Sequence, residues 1–136
     1  MDEKERIVRD FYAARERRDW AAVQRLLAPD VIWREKDGTQ DYSGAHNGRD
    51  TVAALLAKLV EVTGGTFTLK PKELICTAEH VAATVRWRAA RGGTHVEGYD
   101  LAVYRIADGQ IAEAWFFPDG FDPEALSEVF SFAASA

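Results

Sequence analysis

Leu101-Ala-Val-Tyr-Arg-Ile-Ala-Asp-Gly-Gln-Ile-Ala-Glu-Ala-Trp-Phe-Phe117 is the stretch whose reading decides the fold. Its two arms are rich in β-branched and aromatic residues, and Asp108-Gly109 between them can adopt the positive φ values of a tight primed turn. The segment therefore predicts an antiparallel hairpin. Working back, residues 66–76, 81–90 and 94–106 have the same strand character, and the hairpin's second arm covers 110–117. The turns at Thr77-Ala-Glu-His80 and Arg91-Gly-Gly93 are too short for crossovers, so the four strands form an antiparallel meander.

The first half of the chain is helical. Ile7, Val8, Phe11, Tyr12 and Ala14 recur at three-to-four-residue spacing within a helix over about 3–18. Asp19 caps a second helix over about 20–27, which Pro29 ends. A strand over 31–35 follows, then a loop rich in turn residues, then a third helix over about 49–62 stopped by Gly64-Gly65. Asp119-Gly-Phe-Asp-Pro123 leads into a last short helix over about 123–130, with proline in its first turn.

A length of 136 residues with 47% hydrophobic content suits one core and is too short for two. The expectation is a single domain spanning 1–136. A net charge of −5 leaves no basic footprint for nucleic acid or an anionic membrane surface. The one dense basic cluster, Arg15, Arg17 and Arg18, reads as a solvated helix end whose cations suit the helix dipole. Cys76 is the only cysteine, which excludes an intrachain disulfide, and it reads as a small strand hydrophobe. Without an apolar leader or a spanning run, the expected location is cytoplasmic. Three scattered histidines do not make a metal site, and no phosphate loop or Ser-His-Asp pattern is present, so neither metal nor cofactor is expected.

Several local patterns accompany this element order: Arg9-Asp-Phe-Tyr-Ala13, Arg18-Asp-Trp20, Leu27-Ala-Pro-Asp-Val-Ile-Trp33, Gly48-Arg-Asp-Thr-Val52, Tyr104-Arg-Ile-Ala-Asp-Gly-Gln-Ile-Ala-Glu113 and Trp115. Through them nearly the whole chain resembles the nuclear transport factor 2-like superfamily, and within it the SnoaL-like family related to polyketide cyclases and ketosteroid isomerase. The resemblance implies an α+β cone, in which a strongly curved mixed or antiparallel sheet wraps around the N-terminal helices and encloses a pocket. It also implies pairing of subunits through the opposite sheet face. Alternation over 94–106 agrees with two covered faces. Val96, Gly98, Asp100, Ala102 and Tyr104 lie on one, and Glu97, Tyr99, Leu101, Val103 and Arg105 on the other. A homodimer through the outer face is expected.

Carried onto this chain, the proton-shuttle carboxylate of ketosteroid isomerase falls on Glu35, and the donors that stabilise its enolate fall on Phe11 and Ala102, which have no donating side chain. The Glu-His-Trp of SnoaL-type cyclases corresponds to Glu113-Ala-Trp115, and their acid-base aspartate falls near Ala102. The epoxide-hydrolase pattern of Arg-x-Asp meets Arg86-Trp-Arg88. The resemblance thus carries the fold further than the reaction.

The remaining acid-base candidates are Asp100, Glu35, His46 and Tyr12. Glu35 shares a strand face with Val31 and Trp33 and either enters the pocket, where desolvation raises its pKa, or ends the strand in water. Asp100, between Gly98 and Ala102, either faces the cavity or pairs with Arg86 or Arg88. His46 stands in the loop before the third helix, at the pocket mouth if that loop folds as in relatives. Trp33, Trp87, Trp115, Tyr42, Phe67 and Tyr104 are the candidate substrate-binding walls for a small apolar molecule. The leading expectation is a cofactor-independent enzyme that moves protons on an apolar, polyketide- or terpenoid-like substrate, by isomerisation, cyclisation, dehydration or hydrolysis. The alternative is a dimeric protein that binds a small hydrophobic ligand without transforming it.

Overall fold

The computed structural model describes residues 1–120 and 122–134, and in it each expected element is present with small shifts at its ends. Helix α1 (Glu3–Arg17) opens at Asp2, whose carboxylate accepts from the Lys4 amide at 2.8 Å, and ends where Arg18 turns left-handed at φ 61°. Asp19 caps α2 (Trp20–Leu26) by accepting from the Ala22 amide. Strand β1 (Leu27–Arg34) starts directly from that helix, earlier than the proline had implied. Pro29 is accommodated because pairing is irregular between Leu27 and Ile32, so no ladder bond requires its missing N–H.

A short strand that the sequence reading left in the loop, β2 (Ala45–Asn47), pairs antiparallel with β1. Its three residues carry no alternation long enough to be read as a strand. Helix α3 (Arg49–Val62) is followed by β3 (Thr68–Cys76), β4 (His80–Arg91), β5 (Thr94–Ala107), β6 (Gln110–Pro118) and α4 (Pro123–Phe130). The Asp108-Gly109 turn has φ values of 53° and 75°, the primed geometry expected of it.

The strands form one open mixed sheet in the order β2-β1-β6-β5-β4-β3. β1 runs parallel to β6, and the neighbours from β6 to β3 are antiparallel. On β4, Val81, Ala83, Val85, Trp87 and Ala89 point inward while Thr84, Arg86 and Arg88 face solvent. The inner face joins Val8 and Phe11 of α1, Val23 of α2, Val52, Leu56 and Leu59 of α3, and Phe130 of α4 in one core. The outer face presents Tyr99, Leu101 and Phe117 to solvent. No helix among the described residues is long and apolar enough to cross a membrane.

Candidate active site

A cavity of about 260 Å³ opens between the inner sheet face, the loop that follows β1, and α4. Its apolar wall comes from Leu59, Phe67, Trp87, Phe116, Leu126 and Phe130, while Lys36, Gln40 and Asp119 are among its polar lining. The rings brace one another edge to face. Phe67 and Phe130 stand 5.1 Å apart, and Trp87 and Phe130 5.9 Å.

Four carboxyl side chains line this volume, Glu35, Asp37, Asp100 and Asp119, and two of them, Glu35 and Asp100, are largely removed from water. Strand alternation brings these two there. Glu35 follows β1 on the face of the buried Val31 and Trp33, and Asp100 lies on β5 two residues before the buried Ala102. Each is held by an indole. Trp33 Nε1–H donates to Glu35 Oε1 at 3.0 Å, and the Trp87 side chain hydrogen-bonds Asp100. Indole can only donate, so both bonds favour the ionised carboxylate. Burial outweighs them. Desolvation pushes Glu35 up to about 7, with the neighbouring charge of Asp100 adding to the rise. Desolvation likewise pushes Asp100 up to about 6. The pairing of Asp100 with Arg86 or Arg88 does not form. Arg86 reaches Glu97 instead, on the outer face.

Of the walls expected from sequence, Trp87, Phe67 and Tyr42 line the cavity. Burial raises the Tyr42 hydroxyl well above its usual pKa. Trp33 stands one layer behind, only 1% exposed, with its ring 4.5 Å from that of Phe116. Tyr12 and Tyr104 are buried in the core, where their hydroxyls hydrogen-bond one another, and burial pushes Tyr12 up to about 12. Trp115 lies against His80 rather than at the cavity. His46 is also outside the lining. Its Nε2–H donates to the Tyr42 carbonyl at 2.8 Å, which fastens the loop carrying Tyr42 to β2.

Sequence reading passed over Phe116, Leu126, Phe130 and, on either side of Tyr42, the loop residues Lys36 to Gln40 and Ser43. The buried alternation of Ala114 and Phe116 on β6, and the four-residue spacing of Leu126 and Phe130 on α4, were available signals. It also misplaced Arg15. That residue is only 5% exposed, unlike its neighbour Arg17, because its position on α1 faces the core. Its guanidinium lies 5.7 to 5.9 Å from the ring centroids of Phe11, Tyr12 and Trp33. Among the described residues no group of three or more His, Cys, Asp or Glu side chains is arranged to hold a metal ion.

An open mixed sheet with helices on its inner face and a pocket between them is the architecture of nuclear transport factor 2-like proteins. The chain belongs to the SnoaL-like domain family, whose sequence profile matches residues 8–114. A nuclear transport factor 2-like protein of unknown function from Burkholderia pseudomallei is 26% identical, with a TM-score of 0.78 over 96% of this chain and 99% of its own. TerC, crystallised with polyporic acid, is 22% identical with a TM-score of 0.80, over 95% and 98% of the two chains. IdmH from Streptomyces antibioticus, proposed to be a polyketide cyclase, is 18% identical with a TM-score of 0.74, over 87% and 93%. At 22% and 18% identity, the last two likenesses speak for the fold alone. No curated protein matches the sequence.

Proposed function

We propose that the cavity is an acid-base active site in which Asp100 and Glu35 move a proton on a small, mostly apolar molecule. One observation carries the reading: two carboxyl groups with proton affinities raised toward neutrality line a single aromatic-walled volume. Both carboxyl groups are raised toward neutrality and stand close enough to feel one another's charge, so the pair can share one proton, one member serving as acid and the other as base. In an isomerisation, Asp100 takes the proton next to a carbonyl while Glu35 donates to the developing oxyanion, and returning the two protons completes the cycle. The same proton inventory serves cyclisation, dehydration or hydrolysis. The aromatic and aliphatic part of the wall suits a cyclic, largely apolar body, and Lys36, Asp37 and Asp119 add charged groups to the lining.

The proposed polyketide cyclase role of the neighbour IdmH and the crystallisation of TerC with polyporic acid support starting a substrate search with cyclic ketones, polyketides and polyporic acid. The test is turnover by the wild type against Asp100→Asn and Glu35→Gln. Loss of roughly 10²–10⁴-fold in kcat with ligand binding retained is the expected result. Binding without turnover by the wild type would instead identify a ligand carrier. We also propose that the exposed Tyr99, Leu101 and Phe117 on the outer sheet face pair with a second copy of the chain.

A further inference from the structure

Among the described residues, the guanidinium of Arg15 is a buried cation without an ion-pair partner of its own. It is 5% exposed, and no carboxylate among the described residues forms an ion pair with it, although Arg9, Arg17, Arg34, Arg86 and Arg105 each have one. Taking a guanidinium out of water is costly unless an anion or a polarisable surface compensates. Three aromatic faces supply part of that compensation. One of the three is Trp33, whose indole N–H holds Glu35. Arg15 therefore packs against the indole whose N–H holds the cavity carboxyl group Glu35.

We infer that Arg15 is the counter-ion of the cavity: a positioning residue that, packed against Trp33, keeps one of the two carboxyl groups Glu35 and Asp100 ionised while the other holds a proton. The inference rests on the proposed acid-base pair. Tyr12, from its own helix, packs against Arg15, and Glu35 at the end of β1 and Asp100 and Tyr104 on β5 lie within its electrostatic reach. Charges on the other elements around it are committed elsewhere. Arg34 and Arg105 pair with Glu113, Lys70 with Glu16, Arg86 with Glu97, and Lys58 with Glu61. Arg15 draws Glu35 and Asp100 down from where burial alone would put them, and without it the pair would remain doubly protonated further into the neutral range.

Arg15→Met keeps the length and apolar bulk of the stem and deletes the charge, while Arg15→Lys restores a cation. The experiment is a carbon-13 NMR titration of the Glu35 and Asp100 carboxyl carbons in the unliganded wild type and both variants. Arg15→Met should raise the midpoint of whichever of Glu35 and Asp100 ionises first by about one pH unit, and Arg15→Lys should return it most of the way. Midpoints in Arg15→Met that match the wild type would show that Arg15 only fills space and would overturn the inference. Should Arg15→Met fail to fold, Arg15→Gln is titrated in its place, with the same two outcomes. No substrate is present, so the titration is decided separately from any search for turnover.

Discussion

Glu35→Gln should stabilise the protein in alkaline solution and leave it nearly unchanged in acid. In the folded chain Glu35 holds its proton up to about pH 7, against an ordinary value of 4.5. Between those two values the folded state keeps a proton that the unfolded state has lost, so stability falls as pH rises through the window and levels off above it. Each pH unit in the window costs about 1.4 kcal/mol, and the whole window roughly 3 kcal/mol, trimmed to about 2–3 kcal/mol by the partial solvent exposure of the side chain. Glutamine cannot ionise, and its amide oxygen can still accept from Trp33 Nε1. The variant should therefore exceed the wild type by about 2–3 kcal/mol at pH 8 and match it within about half a kcal/mol at pH 4.5. Urea unfolding at the two pH values measures this directly, and a melting temperature higher by roughly 6–12 °C at pH 8 is the corresponding thermal result. Equal differences at both pH values would refute the reasoning, because they would mean that Glu35 titrates as a solvated carboxylate.

Tyr12→Phe and Tyr104→Phe each leave one hydroxyl buried without its partner, at about 1–3 kcal/mol. The double variant should cost clearly less than the two singles added together, and additive losses from urea unfolding would argue against a coupled pair. On the outer sheet face, Leu101→Glu should convert a dimer to a monomer by sedimentation without changing the fold, since Leu101 is exposed and stands opposite Phe117. A wild type that sediments as a monomer would dispose of the homodimer proposal.

Much of the architecture was legible because it rests on short-range signals. The Asp108-Gly109 turn, the caps at Asp2 and Asp19, and strict alternation on β4 each depend on a few neighbouring residues. The strand faces of Glu35 and Asp100 were legible for the same reason, since period-two alternation sets them on the faces of Trp33 and Ala102, but alternation does not decide between the cavity and water for Glu35, or between the cavity and an arginine partner for Asp100. The less legible parts depend on distant partners. β2 exists only because β1 offers an edge to three residues, and Arg15 is buried only because its turn of α1 faces the sheet. Nothing local distinguishes Arg15 from the exposed Arg17 except its place on the apolar stripe. That stripe, drawn one residue further than Ala14, would have included it.

The positions where the family resemblance looks for enolate donors hold Phe11 and Ala102, both fully buried and without a donating side chain. Polar chemistry has moved one layer outward. Indole N–H groups of Trp33 and Trp87 hold the carboxyl groups, and the aromatic packing that immobilises those indoles also walls the cavity. This arrangement couples proton affinity to packing. Because Trp33 packs against both Phe116 and Arg15, a change in the fit of the rings shifts the bond that holds Glu35, and with it the proton affinity of that carboxyl group. A site of this kind has little reserve. Each raised carboxyl destabilises the fold at neutral pH, so the aromatic core around it must be well packed for the chain to tolerate both.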